Sequence, residues 1–255
     1  MTSKTQSTGW FAHFFQGAAL ELWRRANSIE DTQRELNFLE EALAAPVGGK
    51  LLDLPCGNGR LSIPMALLGY DVTGVDFSKT FVEEARSAAK AYKCKTTFVK
   101  ADMRELTYEN EFDGAFCMGN SFGYFDRTGT NTFLKTVSNC LKPGARFVIE
   151  SAMIAECFLV NGGEREWLQR GDMYMLIENK YDCRNSTVET KYVFVQNGKE
   201  ETRTATHWVY TTGELCQMLE VAGFTVEELF SSPDPDEPEP FTLGAERLLL
   251  VAEKK

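Results

Sequence analysis

Histidine is scarce in this 255-residue chain, at two residues, and positive charge is not in excess: 27 Lys and Arg face 37 Asp and Glu, for a net charge of -10. That balance repels a polyphosphate and makes nucleic acid a poor partner. The seven cysteines, at 56, 94, 117, 140, 157, 183 and 216, are odd in number, irregularly spaced and without a C-x-x-C pair. Neither a disulfide framework nor a metal cluster is expected, and a reducing, cytoplasmic setting suits them best. No stretch approaches the roughly 18 uninterrupted apolar residues that span a bilayer. Met1 to Gly9 lack the basic and then apolar order of a secretory leader, so neither export nor membrane anchoring is expected. Internal repeats are missing too. What is there, 43% hydrophobic and 25% charged residues, is the composition of a folded, water-soluble protein built as one large domain.

Residues 10 to 45 read as a helical cap (1–45) ahead of the main domain (46–255). Trp10, Phe11, Phe14 and Phe15 cluster, and Leu36, Leu39 and Leu43 recur at helical spacing after a capping Ser28. From Lys50 short apolar runs alternate with amphipathic helices, the pattern of βα units around a parallel sheet. Strands are expected at Leu51 to Leu54, Asp71 to Val75, Thr97 to Lys100, Asp113 to Met118 and Arg146 to Glu150. Helices are expected through Leu68, over Lys79 to Tyr92 behind the cap Ser78, and over about Thr130 to Leu141. The alternation breaks over 172–210, where three strand-like runs and the hairpin signal Asn197-Gly198 predict an antiparallel insertion. A helix over Gly213 to Ala222, a strand over Thr225 to Phe230 and a last strand over Arg247 to Ala252 complete the chain, with an acidic proline-rich loop at 233 to 240.

Ligands of open parallel sheets bind outside the carboxyl ends of the strands. The residues there are Asp53 to Arg60, Asp76 to Ser78, Asp102-Met103 and Gly119 to Tyr124. Gly57 and Gly59 let the backbone approach a ligand, and Asp76 suits a ribose diol. That much fits NAD as well. A carboxylate at Asp53, however, repels a pyrophosphate and favours a cationic amine, and Ser62 stands where the dinucleotide motif has its third small residue. Three acids at three successive strand ends therefore favour S-adenosylmethionine, a phosphate-free cation.

Leu51-Leu52-Asp53-Leu54-Pro55-Cys56-Gly57-Asn58-Gly59-Arg60, Val72-Thr73-Gly74-Val75-Asp76-Phe77-Ser78 and Ala101-Asp102-Met103-Arg104-Glu105-Leu106 resemble the class I S-adenosylmethionine-dependent methyltransferases. With Asn120-Ser121-Phe122-Gly123-Tyr124-Phe125 after strand four, the chain looks most like bacterial, small-molecule-type members, over roughly residues 36 to 255. The resemblance implies a Rossmann-like α/β fold, a seven-stranded sheet in the order 3-2-1-4-5-7-6 with strand seven antiparallel. It also implies that Asp53 and the loop Pro55, Cys56, Gly57, Asn58 and Gly59 hold the methionine part and Asp76 the ribose, beside Ser78. Phe77 would cover adenine, Asp102 and Met103 its edge, while Met118, Gly119 and Asn120 lie below the methionine. Pro55 departs from the usual first glycine of the loop.

Methyl transfer from a sulfonium requires mainly placement of the nucleophile and exclusion of water. Phe122, Tyr124, Trp10 and Phe14 are the candidate acceptor-binding residues, each with core packing as the plainer alternative. His207 and Tyr124 are weak candidates for a proton acceptor. The expected activity is methyl transfer from S-adenosylmethionine to an N, O or C atom of a small molecule, releasing S-adenosylhomocysteine. A nicotinamide-dependent oxidoreductase and a nonenzymatic cofactor-binding protein are the alternatives, and the chain could act as a monomer or homodimer.

Overall fold

A computed structural model describes residues 9–234 and 239–255. Along the chain run α1 (Phe11–Phe14), α2 (Gly17–Arg24), α3 (Ile29–Leu43), β1 (Lys50–Asp53), α4 (Ser62–Leu67), β2 (Asp71–Asp76), α5 (Lys79–Tyr92), β3 (Thr96–Lys100) and β4 (Phe112–Cys117). Then come α6 (Arg127–Cys140), β5 (Leu141–Ser151), α7 (Ala155–Asn161), β6 (Arg165–Arg170), β7 (Met173–Asp182), β8 (Thr187–Gln196), β9 (Lys199–Trp208), α8 (Thr212–Ala222), β10 (Phe224–Phe230) and β11 (Leu248–Lys254).

The larger sheet has seven strands in the order β10-β11-β5-β4-β1-β2-β3. β11 runs antiparallel to both its neighbours, β5 and β10, while β1 to β5 pair in parallel. With β10 and β11 as the sixth and seventh strands, this is the expected order. Successive side chains of a strand point to opposite faces, so the central strands fill two cores. Leu51, Phe116, Val148 and Leu249 pack with Leu36, Leu39 and Leu43 of α3. Leu52, Ala115, Ile149 and Leu250 pack on the other face with Leu134 and Val137 of α6 and Leu215 and Leu219 of α8.

Helix starts follow their caps. Ser28 and Thr211 each form a capping box, with Asp31 and Glu214 respectively. Ser78 caps α5 by accepting from the Phe81 N–H. α6 begins at Arg127 rather than near Thr130, because the Asp126 carboxylate accepts from the Gly129 N–H at 2.7 Å.

The insertion is a four-stranded antiparallel sheet, β6-β7-β8-β9, not the three strands expected. The additional strand, β6, reads Arg-Glu-Trp-Leu-Gln-Arg and is mostly exposed at the sheet's edge, so it lacks the apolar alternation that marks a half-buried strand. Asn197 and Gly198 take φ of 52° and 73°, and the β8–β9 hairpin turns there as expected. Residues 9–45 divide by packing. Phe14, Ala19 and Leu22 of α1 and α2 pack against Met173, Met175, Phe194 and Ala205 of the inserted sheet, whereas α3 packs against the main sheet.

Two long-range bonds tie this second layer down. The Trp10 indole N–H donates to the Thr206 carbonyl at 2.7 Å, and the Trp208 N–H donates to the Gly123 carbonyl at 2.8 Å. α1, α2 and the inserted sheet thereby form a roof at the carboxyl ends of β1 to β5. Among the described residues no helix is long and apolar enough to cross a membrane. The acidic loop is described only in part, as residues 235–238 lie outside the described residues.

Candidate functional site

Between the strand ends and the roof lies a cavity of about 920 Å³. Its floor includes Asp53, Pro55, Cys56, Gly57, Asn58 and Gly59 after β1, Asp76, Phe77 and Ser78 after β2, Asp102 and Met103 after β3, and Met118, Gly119 and Asn120 after β4. The residues expected to hold a cofactor thus share one cavity. The β1 loop keeps its shape despite Pro55: the Cys56 N–H donates to the Val75 carbonyl and the Gly59 N–H to the Cys56 carbonyl. Gly57, with φ of 54°, and Gly119, with φ of 71°, have no protein atom within 4 Å of where a Cβ would project, so backbone is bared toward open space. Gly74 has the opposite role, because a Cβ there would strike Phe98 at 2.7 Å and Cys56 at 2.8 Å.

The three acids differ in what they already hold. Asp53 is 2% exposed and accepts from the Ser62 hydroxyl at 2.5 Å. Burial pushes its carboxyl up to about 7, partly offset by that hydrogen bond. Asp76 accepts from the Gly57 N–H at 2.9 Å and the Ser78 N–H at 2.7 Å, one bond on each oxygen. Burial raises it to about 6. Asp102 takes a two-pronged contact from the Arg104 guanidinium, at 2.6 and 3.0 Å. Each carboxylate oxygen has more than one acceptor site, so these internal bonds orient the acids without exhausting them.

The roof side of the cavity is largely apolar, although Arg24 of α2 and Arg170 of β6 also line it. Phe11, Phe15, Leu22, Trp23, Leu168 and Met175 line it together with Tyr124. Burial holds the Tyr124 phenol well above its ordinary range, so it stays protonated at neutral pH. Three expected acceptor residues do not line the cavity. Phe122 is 2% exposed and packs in the core beside Tyr210. Phe14 is 2% exposed among Trp10, Phe15, Trp23 and Tyr192. Trp10 stands behind Tyr124, ring centroids 4.7 Å apart, with its indole N–H committed to Thr206. These rings support the wall, and the helical periodicity puts Phe11 and Phe15 into the opening instead. His207 also lies behind Tyr124, at 5.4 Å between ring centroids. It is 5% exposed, and burial lowers it to about 4, leaving a neutral imidazole outside the cavity lining. Arg24 reaches the cavity but is paired with Glu21 and Glu84.

Sequence reasoning missed, among other lining residues, Glu35 of α3, Glu150 near the end of β5 and Arg247 just before β11, whereas Arg60 falls in the strand-end run read from the sequence. The strand-end rule, extended from the fourth strand to the fifth, finds Glu150. The partners from α3 and the last loop are brought in by tertiary packing alone. Among the described residues no cluster of His, Cys, Asp and Glu could hold a metal ion.

The donor set suits a phosphate-free cation and not a dinucleotide. At the start of α4, where a pyrophosphate would sit, stands the Asp53 carboxyl group, which accepts from the Ser62 hydroxyl and opposes a phosphate. Known proteins agree with the geometry. Residues 51–144 match the family model of the methyltransferase domain. The chain is similar to YqeM of Bacillus subtilis strain 168, a protein named as a methyltransferase, at 27% identity over 220 residues, 82% of this chain and 85% of that one. Among solved structures, an S-adenosylmethionine-dependent methyltransferase from Clostridium acetobutylicum has a TM-score of 0.79 at 20% identity, covering 96% of this chain and 97% of that one. The CcbJ methyltransferase of Streptomyces caelestis has a TM-score of 0.78 at 19% identity, covering 92% and 95%. These last two likenesses speak for the fold. With the matched domain, the sheet order and the strand-end acids taken together, residues 51–144 match a methyltransferase domain and the whole chain has the fold of S-adenosylmethionine-dependent methyltransferases.

Proposed function

We propose that this protein transfers a methyl group from S-adenosylmethionine to a small molecule with a substantial apolar body. The observation that carries the reading is the meeting of Asp53, Asp76, Asp102 and the bared Gly57 and Gly119 backbone in one cavity whose far wall is aromatic and aliphatic. When bound, the sulfonium supplies an electrophilic methyl whose departure leaves a neutral thioether.

The chain's own residues bind, orient and exclude water. Asp76, fixed by Gly57 and Ser78, accepts from the ribose hydroxyls, and Phe77 covers one face of the adenine. Asp102, aligned by Arg104, and Met103 border the adenine edge. Phe15, Leu22, Trp23 and Met175 hold the apolar part of the acceptor against the methyl and keep the reacting atoms dry. The phenol of Tyr124 is protonated and the imidazole of His207 lies outside the lining, so neither supplies a base at the roof. Positioning then carries the rate, and the acceptor brings its own lone pair.

Calorimetric titration with S-adenosylhomocysteine and with NAD tests the cofactor, and tighter binding of NAD overturns the reading. Transfer of labelled methyl groups across a panel of amines, phenols and carbon acids tests the reaction. Tight S-adenosylhomocysteine binding with no turnover on any of them would instead make the protein a nonenzymatic binder of that nucleoside.

A further inference from the structure

Charge in the cavity lining is sorted by wall. Among the described residues, every carboxylate in the lining comes from α3, the strand ends or the loop before β11, whereas α1, α2 and the inserted sheet contribute two guanidinium groups, Arg24 and Arg170, and no acid. The two differ in what holds them. Arg24 donates to Glu21 and to both oxygens of Glu84, so its charge is answered within the protein. Arg170, the last residue of β6, is exposed and forms no ion pair among the described residues: its Nη1 donates to the Gln169 carbonyl at 3.2 Å, and its Nε and Nη2 have no acceptor there. The acids nearest to it along the chain are engaged elsewhere. Asp172 accepts from Arg25 Nη1 at 3.2 Å on one oxygen and from Gln196 Nε2 at 3.0 Å on the other, and Glu166 accepts from the Gly163 N–H at 2.7 Å.

Strand geometry places this open edge. Alternate residues of a strand share a face, so Leu168 and Arg170 point the same way, and both line the cavity. Leu168 stands opposite Met175 in the β6–β7 register, and Arg170 stands opposite Met173. Met173 is buried beneath α1 and α2, which leaves Leu168, Met175 and Arg170 as the inserted sheet's share of the lining. Two residues along a strand cover roughly 7 Å, so the apolar wall ends, about that far toward the β6–β7 turn, in a guanidinium group. Its parallel Nε–H and Nη2–H match two oxygens of one oxyanion. An ammonium group at that point meets a like charge instead. The acidic floor repels an oxyanion as well, so a ligand carrying one turns its other end toward the cofactor.

We infer that the methyl acceptor carries an oxyanion, a carboxylate or a phosphate monoester, at one end of its apolar body, and that Arg170 recognises it. The inference rests on the methyl transfer proposed above and narrows its acceptor to an acidic molecule methylated at the end remote from the acid.

Calorimetry on protein saturated with S-adenosylhomocysteine tests this with four probes that share a phenyl body: 4-phenylbutanoate, 3-phenylpropyl phosphate, 4-phenylbutanol and 4-phenylbutylamine. The native protein is expected to bind at least one of the two oxyanions about fivefold or more tightly than the alcohol, the upper range for an ion pair open to water, and to bind the amine most weakly. The tighter of the two oxyanions identifies the group. Arg170→Gln should bring both to the level of the alcohol, Arg170→Lys should keep part of the preference, and Arg170→Glu should turn it toward the amine. Arg165→Gln, on the opposite face of the same strand and paired with Glu178, should leave the ratio within about twofold. Equal affinity for alcohol and oxyanions, binding of none of the four, or a preference that survives Arg170→Gln overturns the inference while S-adenosylhomocysteine still binds. Failure of S-adenosylhomocysteine itself to bind the native protein overturns the cofactor reading instead.

Discussion

The two walls of the cavity are built on different physics. The floor is polar, made of loops at strand ends, and each acid is aimed by hydrogen bonds from those loops: Ser62 on Asp53, Gly57 and Ser78 on Asp76, Arg104 on Asp102. The roof is largely apolar, and its residues are held by ring contacts, such as those of Phe14 with the nearby Trp23 and the distant Tyr192. Directional bonds suit a ligand whose shape never varies, and nondirectional packing suits a surface that sets which second molecule fits. Under the function proposed above, cofactor recognition and acceptor choice would then be separable.

That separation can be broken or sharpened by substitution. Phe14→Ala should cost the most, about 3–5 kcal/mol of stability for a fully buried ring, read by thermal or urea unfolding. If the walls are independent, S-adenosylhomocysteine affinity at a temperature where the variant is folded should stay within about threefold. The next effect is electrostatic. Asp53 titrates near 7 in the folded protein against an ordinary value near 3.8, so the native state binds its proton more tightly than the unfolded chain does. Stability from this group is full at low pH and is lost as pH rises through about 7. Asp53→Asn should therefore stabilise the ligand-free protein at pH 8, on the order of 4 kcal/mol at about 1.4 kcal/mol per pH unit, and should do little at pH 4. Melting curves at the two pH values measure the difference, and equal shifts at both would contradict the buried-charge account.

Asp76→Ala should weaken S-adenosylhomocysteine binding by about 1.5–3 kcal/mol, the scale of a hydrogen bond to a charged group, as read by calorimetry. Unchanged affinity would remove Asp76 from the site. The smallest effect belongs to the roof's far hairpin. Asn197 has φ of 52°, and Asn197→Ala should destabilise the β8–β9 turn by about 1 kcal/mol while leaving cofactor affinity as it was.

The same contrast explains what could be read from the sequence. The floor was legible because its chemistry is local: Asp53, Gly57, Asp76 and Asp102 each sit at a fixed offset from a strand, and strands announce themselves through apolar runs. Sheet order and the antiparallel last strand followed from the resemblance those motifs carry. The roof was legible only as an antiparallel insertion with one strand short, since the polar edge strand β6 has no alternation to see. Which aromatic residues face the opening depended on the phase of two short helices against β7 to β9, and so Phe11 and Phe15 line the cavity where Trp10 and Phe14 were expected. Arg247 meets Glu35 and Glu150 from the far end of the chain, a separation over which no local pattern exists.

The bond from the Trp10 indole to Thr206 spans 196 positions of sequence. Completing the roof therefore requires a contact of very high sequence separation, whereas β1, β2 and β3 follow one another between Lys50 and Lys100. Loop closure thus weighs unequally on the two walls: the strand-end floor assembles from consecutive elements, while the roof bears the entropy of joining segments almost two hundred positions apart.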